Sequence, residues 1–435
     1  MATGYAELLR ARHAVRLLVG TLIGRLPNAT AALVIVLFTR AEGGGYTLAG
    51  VLSAVYGLAT AVGQPLLGRL VDLYGQPRVM FPAALLSALG MALFALVGID
   101  PVTVAAVAVL LAGVATPPLE GGLRALWPGV LKGPEKVHRA YALDAVAQEV
   151  MFAVGPLLVT LIVAYWNEAA ALLVINGLGV FGALSVVVSP PSRTWRSAPR
   201  EAHWLGALRS AGLLALLGTF FFVGLALGAI AVAAVSYADD HGEALISSYL
   251  LSALGFGALV GGVVYGARHW AGAPERRLIW LVLALAAGYM PLVLVPGVVA
   301  MTALAGLSGV FLAPALACAF VVVDRHAPSG TVTEAFSWLV TTFGVGAAAG
   351  TAVVGPVIER GGASAGFAVV GAGGVVALLV LLLTKRALSA VSPGSRSAPV
   401  AGLAAGPGPA SAPVTATEND RNGAAEPGFR TGRQA

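Results

Sequence analysis

Long apolar runs separated by short polar loops occupy most of the chain. The runs fall at about 17–39, 46–67, 79–99, 102–126, 140–164 and 168–189, and again at about 209–236, 245–267, 277–295, 297–322, 333–357 and 365–384. Each approaches the roughly 20 residues a helix needs to cross a bilayer core of about 30 Å. The alternation over about ten residues that marks a membrane β-barrel strand is absent. The pattern predicts an all-α integral membrane protein of about twelve transmembrane helices.

The longest polar interruption, residues 190–208, divides the runs six and six. The expected organisation is an N-terminal segment at 1–16, a six-helix bundle at 17–189, a linker at 190–208, a second six-helix bundle at 209–387 and a tail at 388–435. The tail is rich in Ala, Gly, Pro and Ser, cannot bury enough apolar area to fold, and is expected to be disordered. The two sets of runs share small-residue spacing. Gly57, Gly63 and Gly68 recur 198 positions later as Gly255, Gly261 and Gly266. Gly113 and Pro118 recur 196 positions later as Gly309 and Pro314, and Ala140, Tyr141 and Gly155 face Ala335, Phe336 and Gly350 at an offset of 195. A parallel duplication implies two pseudo-symmetric bundles about an axis along the membrane normal, with a cavity between them.

Composition agrees with the pattern. The chain is 58% hydrophobic and 11% charged over 435 residues, against about 25% charged in a soluble domain. The net charge of +6 does not point to nucleic acid, because the basic residues are dispersed among loops and form no groove-binding patch. They obey membrane topology instead. Arg69, Arg78, Lys132, Lys136, Arg139, Arg193, Arg196, Arg200, Arg268, Arg276, Arg277 and Arg325 share one set of loops with Lys385 and Arg386, while the other set holds little more than Arg40 and Arg360 among basic residues and carries Asp100, Glu168, Asp239, Asp240 and Glu243. The positive-inside rule then places both termini in the cytoplasm of a multi-pass cell-membrane protein. The first run, Leu17 to Phe38, is too long for the apolar region of a signal peptide. Cys318 is the one cysteine, which excludes an internal disulfide and a cysteine metal cluster. No phosphate loop, nucleophile elbow or zinc motif is present, so no enzyme activity, metal or cofactor is expected.

Ionisable groups inside spans mark candidate chemistry, because they are costly there and face a bundle interior or wet cavity. Arg25, in GRLPNA beside Asn28, and Glu149, beside Gln148, lie at matched depth near mid-membrane. The matched depth predicts an ion pair, which is either one that breaks when substrate or a proton arrives or a permanent structural bridge within the first bundle. Glu120 and Arg124 form an i,i+4 pair that Asp144 can join from the next helix. Thr331 and Glu334 read as a capping box opening the eleventh span. Trp338 is a candidate contact for an organic substrate.

The polar loop between the second and third runs, GRLVDLYGQPR, carries a resemblance. Gly68, Leu70, Asp72 and Gly75 match the G-x-L-x-D-R-x-G-R-K loop of the major facilitator superfamily, although Leu73, Gln76 and Pro77 replace its basic residues and Arg78 comes one position late. The chain is identified as resembling that family over about residues 14–387, and Gly155-Pro156, RAYALDAVAQEV and GRLPNA resemble actinobacterial drug and metabolite exporters. The resemblance implies a secondary transporter, expected to be monomeric, that moves a small amphipathic molecule outward against an ion gradient, with protons as the expected ion. It also implies that Asp72 locks the outward-open state by meeting the start of the eleventh helix. With Gly68, Gly75, Arg78, Glu120, Arg124, Asp144 and Glu334, Asp72 makes up an expected conformational latch. Uptake of a nutrient or organic anion held by Arg25, and a transport-inactive sensor with this fold, are the competing readings.

Overall fold

The computed structural model describes residues 7–199, 203–243 and 245–389. Residues 1–6 of the expected N-terminal segment and nearly all of the expected tail lie outside the described residues. Every regular element among the described residues is helical. The first half consists of α1 (Ala14–Ala41), α2 (Tyr46–Tyr74), α3 (Gln76–Val97), α4 (Val102–Val114), α5 (Leu119–Val130), α6 (Pro134–Tyr165) and α7 (Glu168–Val187). A short helix α8 (Pro190–Thr194) and a 3-10 turn at Gly206–Arg209 occupy the linker. The second half consists of α9 (Ala211–Asp240), α10 (Leu245–Ala267), α11 (Pro274–Tyr289), α12 (Val298–Gly309), α13 (Leu312–His326) and α14 (Val332–Leu383), followed by α15 (Lys385–Ser389).

Helix starts follow local chemistry. Pro77, Pro134 and Pro274 sit in the first turns of α3, α6 and α11, where a missing N–H costs nothing. Asn167 Oδ1 accepts the Ala170 N–H at 2.7 Å to cap α7, and Ser210 Oγ accepts the Leu213 N–H at 3.2 Å to cap α9. Gly75, at φ 87°, lets the chain leave α2 and enter α3 without an intervening loop.

Eleven stretches are long and apolar enough to cross a membrane, where the apolar runs predict about twelve. The difference lies at Gly362. The sequence pattern places a loop between 357 and 365, but the backbone stays helical on both sides and departs only at Gly362 (φ 69°, ψ −169°). At about 1.5 Å per residue the 52 residues of α14 are far longer than one crossing, and Gly362 divides them into two helical stretches that match the last two apolar runs.

Two spans are interrupted at matching places. The fourth breaks at Ala115–Pro118 between α4 and α5, and its counterpart breaks at Val310–Phe311 between α12 and α13. Close seams also repeat. A Cβ on Gly63 would collide with the Val114 carbonyl and one on Gly261 with the Val310 carbonyl; Gly113 and Gly309 likewise meet the Tyr56 and Leu254 carbonyls. Thus α2 meets α4 backbone to backbone, as α10 meets α12. Between the halves, α2 and α5 pack on α14, while α6 packs on α10 and α13.

Candidate functional site

A cluster of four buried charges joins α1, α5 and α6. Arg25 on α1 pairs with Glu120 on α5 and, through Nη1 at 3.2 Å, with Asp144 on α6. Its other terminal nitrogen also donates to Gln148 Oε1 at 3.4 Å. Arg124 donates from Nε to Asp144 Oδ2 at 2.7 Å and lies 3.4 Å from Glu120, one turn earlier on α5. Two guanidinium groups and two carboxylates therefore balance. Burying four charges is tolerable only when each is paired. Asp144 and Arg124 are completely buried.

The pairing differs from the depth match between Arg25 and Glu149. Asp144 and Gln148 are four residues apart and share one face of α6, directed at Arg25. Glu149 is one residue further around the helix and points elsewhere. It is partly buried and has no hydrogen bond or ion pair among the described residues. Tyr289, on α11 of the second half, lies within electrostatic reach of Glu149, and its buried hydroxyl lacks a hydrogen-bond partner.

Arg124 also touches the second half. Its guanidinium lies 3.6 Å from the centre of the Phe320 ring on α13 and 5.9 Å from that of Phe336 on α14. Tyr141 on α6 packs edge-on against Phe320 and tilted against Phe336, and all three rings are buried. The arrangement closes this end of the molecule with an aromatic plug. This is the end that carries Arg69, Arg78, Lys132 and Arg139, expected from the loop charges to face the cytoplasm.

The same end carries the contact between Asp72 and α14. The two carboxylate oxygens of Asp72 accept the backbone N–H groups of Thr333 at 3.1 Å and Glu334 at 2.9 Å. These are first-turn donors without intrahelical partners, at the positive end of the helix dipole. The expected capping box is not formed. The Thr331 hydroxyl donates instead to the Pro328 carbonyl at 2.8 Å, and α14 has no side-chain cap from Thr331. The Asp72 carboxyl group from the other half has taken that role, with two acceptor oxygens where a hydroxyl offers one. Gly68 lies one turn earlier on α2, where a Cβ would come within 2.7 Å of Ser337 Oγ and 3.1 Å of the Glu334 Cα. Gly68→Val is accordingly expected to wedge α2 from α14, raising the labelling of a cytoplasmic-end cysteine at Ser337 by a water-soluble maleimide. Unchanged labelling would refute the close-contact role.

Comparison with known proteins decides the family. The Major Facilitator Superfamily profile matches residues 17–305. The chain belongs to the Major Facilitator Superfamily. No curated protein matches it by sequence. Among solved structures, it is similar to the human organic anion transporter MFSD10 (TETRAN), with 17% identity, a TM-score of 0.62, and coverage of 84% of this chain and 98% of that one. The major facilitator transporter FucP in its outward conformation gives 15% identity, a TM-score of 0.65, and coverage of 86% and 99%. A bacterial homologue of the iron transporter ferroportin in an outward-facing state gives 15%, 0.65, and coverage of 86% and 98%. At these identities the likeness is one of fold. The chain has the fold of a major facilitator transporter in a multi-pass membrane protein.

Within that family frame, the loop after α2 relies on neutral groups. Gln76 stands where a basic residue is usual; its amide donates to the Gly122 carbonyl at 2.9 Å and accepts the Ser192 hydroxyl at 2.8 Å. It ties α3 to α5 and to the linker. Arg69 reaches the linker too, donating to the Trp204 carbonyl at 2.8 Å and the His203 carbonyl at 3.3 Å. Arg78 is exposed and Trp338 is partly buried in the second half. Gln76 and Phe320 escape sequence reasoning, because a glutamine in a degraded motif and a phenylalanine in an apolar run carry no distinctive signal. Asn28 lines a polar pocket with Arg25 and Glu120.

Proposed function

We propose that this chain is a proton-coupled exporter of small amphipathic molecules, working by alternating access, with Glu149 as the proton-carrying group. The observation that carries the reading is the unpaired Glu149 carboxyl midway along α6. A carboxylate at that depth without a counter-charge is costly, so it exists neutral or opposite water or a cationic cargo. Proton and cargo compete for one group, which is the requirement for exchange. Arg25 is neutralised by Glu120 and Asp144, which removes support from anion uptake through a free arginine. The contacts of Asp72 and the aromatic plug hold the cytoplasmic side shut, as an outward-open transporter requires.

The test uses the reconstituted full-length chain in liposomes with an imposed pH gradient and a panel of amphipathic cationic dyes. Glu149→Gln is expected to abolish gradient-driven dye movement while preserving dye–dye exchange at zero gradient. Gradient-driven transport that survives the substitution at equal protein content would exclude Glu149.

A further inference from the structure

Behind the charge cluster, inside the first half, a small pocket opens at the break in the fourth span. Asn28, Gln64, Ser87, Thr116, Asn176 and Glu120 line it. These side chains come from α1, α2, α3, the α4–α5 break, α7 and α5. The pocket lies within one bundle and is not formed between the halves. It has room for one or two particles the size of a water molecule.

The hydrogen bonds already made by the lining decide what it presents. The Ser87 and Thr116 hydroxyls both donate to the Ala112 carbonyl, at 2.8 Å and 3.1 Å. Their protons are thereby committed; Thr116 Oγ1 also accepts the Tyr56 hydroxyl at 3.1 Å, and what capacity remains on both oxygens is for accepting. Asn176 donates from Nδ2 to the Leu172 carbonyl at 2.8 Å, which leaves its Oδ1 as an acceptor. Glu120 Oε2 is buried and receives no hydrogen bond, although it faces Arg124 Nη2 at 3.4 Å. Gln64 is only 6% exposed, lines the pocket and has no hydrogen-bond partner among the described residues. A buried amide in that state is unusual, because such groups are normally paired.

The backbone adds the same sign. Helix α4 ends at Val114 with its negative pole at the break, while the positive start of α5 already has Glu120 in its first turn. Interrupted membrane helices place half-helix C-termini and free carbonyls around coupling cations. Arg25 forms part of the wall, but Glu120 and Asp144 balance its charge.

We propose that this pocket is a binding site for a small, hard monovalent cation, with Na+ as the ion to test. Oxygen acceptors from five helices and the break meet a cation's need for several oxygens without the fixed charge a divalent ion would require. The site is separate from Glu149, so the proposal does not rest on the assignment of the proton carrier.

The test is thermal unfolding of the purified full-length chain in detergent, with NaCl titrated against choline chloride at constant ionic strength. A saturable rise in midpoint of about 2–4 °C in Na+ alone is expected, as for any ligand that binds only the native state. Gln64→Leu is expected to raise the half-saturating Na+ concentration by at least tenfold. Gln64→Glu, which adds a charge to the lining, is expected to lower it. Glu149→Gln is expected to leave it unchanged. Equal midpoints in the two salts would show that the pocket holds water only and overturn the proposal. So would an unaltered Na+ response in both Gln64 variants.

Discussion

Asp72→Asn is expected to slow transport by about an order of magnitude while leaving substrate binding in place. The wild-type carboxylate accepts two backbone N–H groups at the start of α14. Asparagine offers one oxygen, no charge, and an NH2 group facing donors it cannot satisfy. Hydrogen bonds to charged groups contribute about 1.5–3 kcal/mol against about 0.5–1.5 for neutral pairs. A loss of about 1–2 kcal/mol shifts the ratio of the two end states by about 5–30-fold. Among the described residues no other side chain caps this helix start, and the Thr331 hydroxyl is turned to the Pro328 carbonyl. The measurement pairs dye transport in liposomes with maleimide labelling of cytoplasmic-end cysteines, which should increase in the variant. Lost binding with an intact cycle would overturn the latch and make Asp72 part of the substrate site.

Asp144→Asn is expected to have the largest effect on stability, lowering it by about 3–5 kcal/mol, the cost of breaking a buried ion pair. Asp144 is fully buried and serves Arg124 at 2.7 Å and Arg25 at 3.2 Å, so its neutralisation leaves two guanidinium groups sharing Glu120. Thermal unfolding of the purified chain reads the loss directly. The double variant Asp144→Leu with Arg124→Met should recover much of it, since one charge of each sign is removed together. That double variant also removes the cation from the Phe320 ring. Recovered stability with a leakier cytoplasmic side would separate the two roles of Arg124. An Asp144→Asn chain as stable as the wild type would mean that water reaches the cluster.

The fold was legible because bilayer physics writes itself into composition: long apolar runs, polar loops and alternate basic loops need no tertiary knowledge to read. The contact of Asp72 with α14 came from a family resemblance and spans 261 positions to Thr333, which no local pattern reports. Depth alone misassigned the partner of Arg25. Counting residues into a span fixes height in the membrane but not azimuth, and Gln148 and Glu149 differ by about 100° around α6. The capping box at Thr331 failed for a related reason, since a local motif competes with any stronger acceptor that folding delivers. Gly362 falls inside the interval 357–365 that the apolar pattern leaves between its last two runs, and its non-helical backbone (φ 69°, ψ −169°) divides Val332–Leu383 into two helical stretches.

The paired glycine seams, Gly63 on Val114 and Gly261 on Val310, have a mechanical consequence. Where backbone rests on backbone there are no side-chain rotamers to absorb displacement, so each half behaves as a stiff plate. A push applied at one edge arrives at the other with little loss to bending. Relative movement of the halves is therefore expected where α2, α5 and α6 meet the second half, and the proton proposed for Glu149 would act at that boundary and not within the plates.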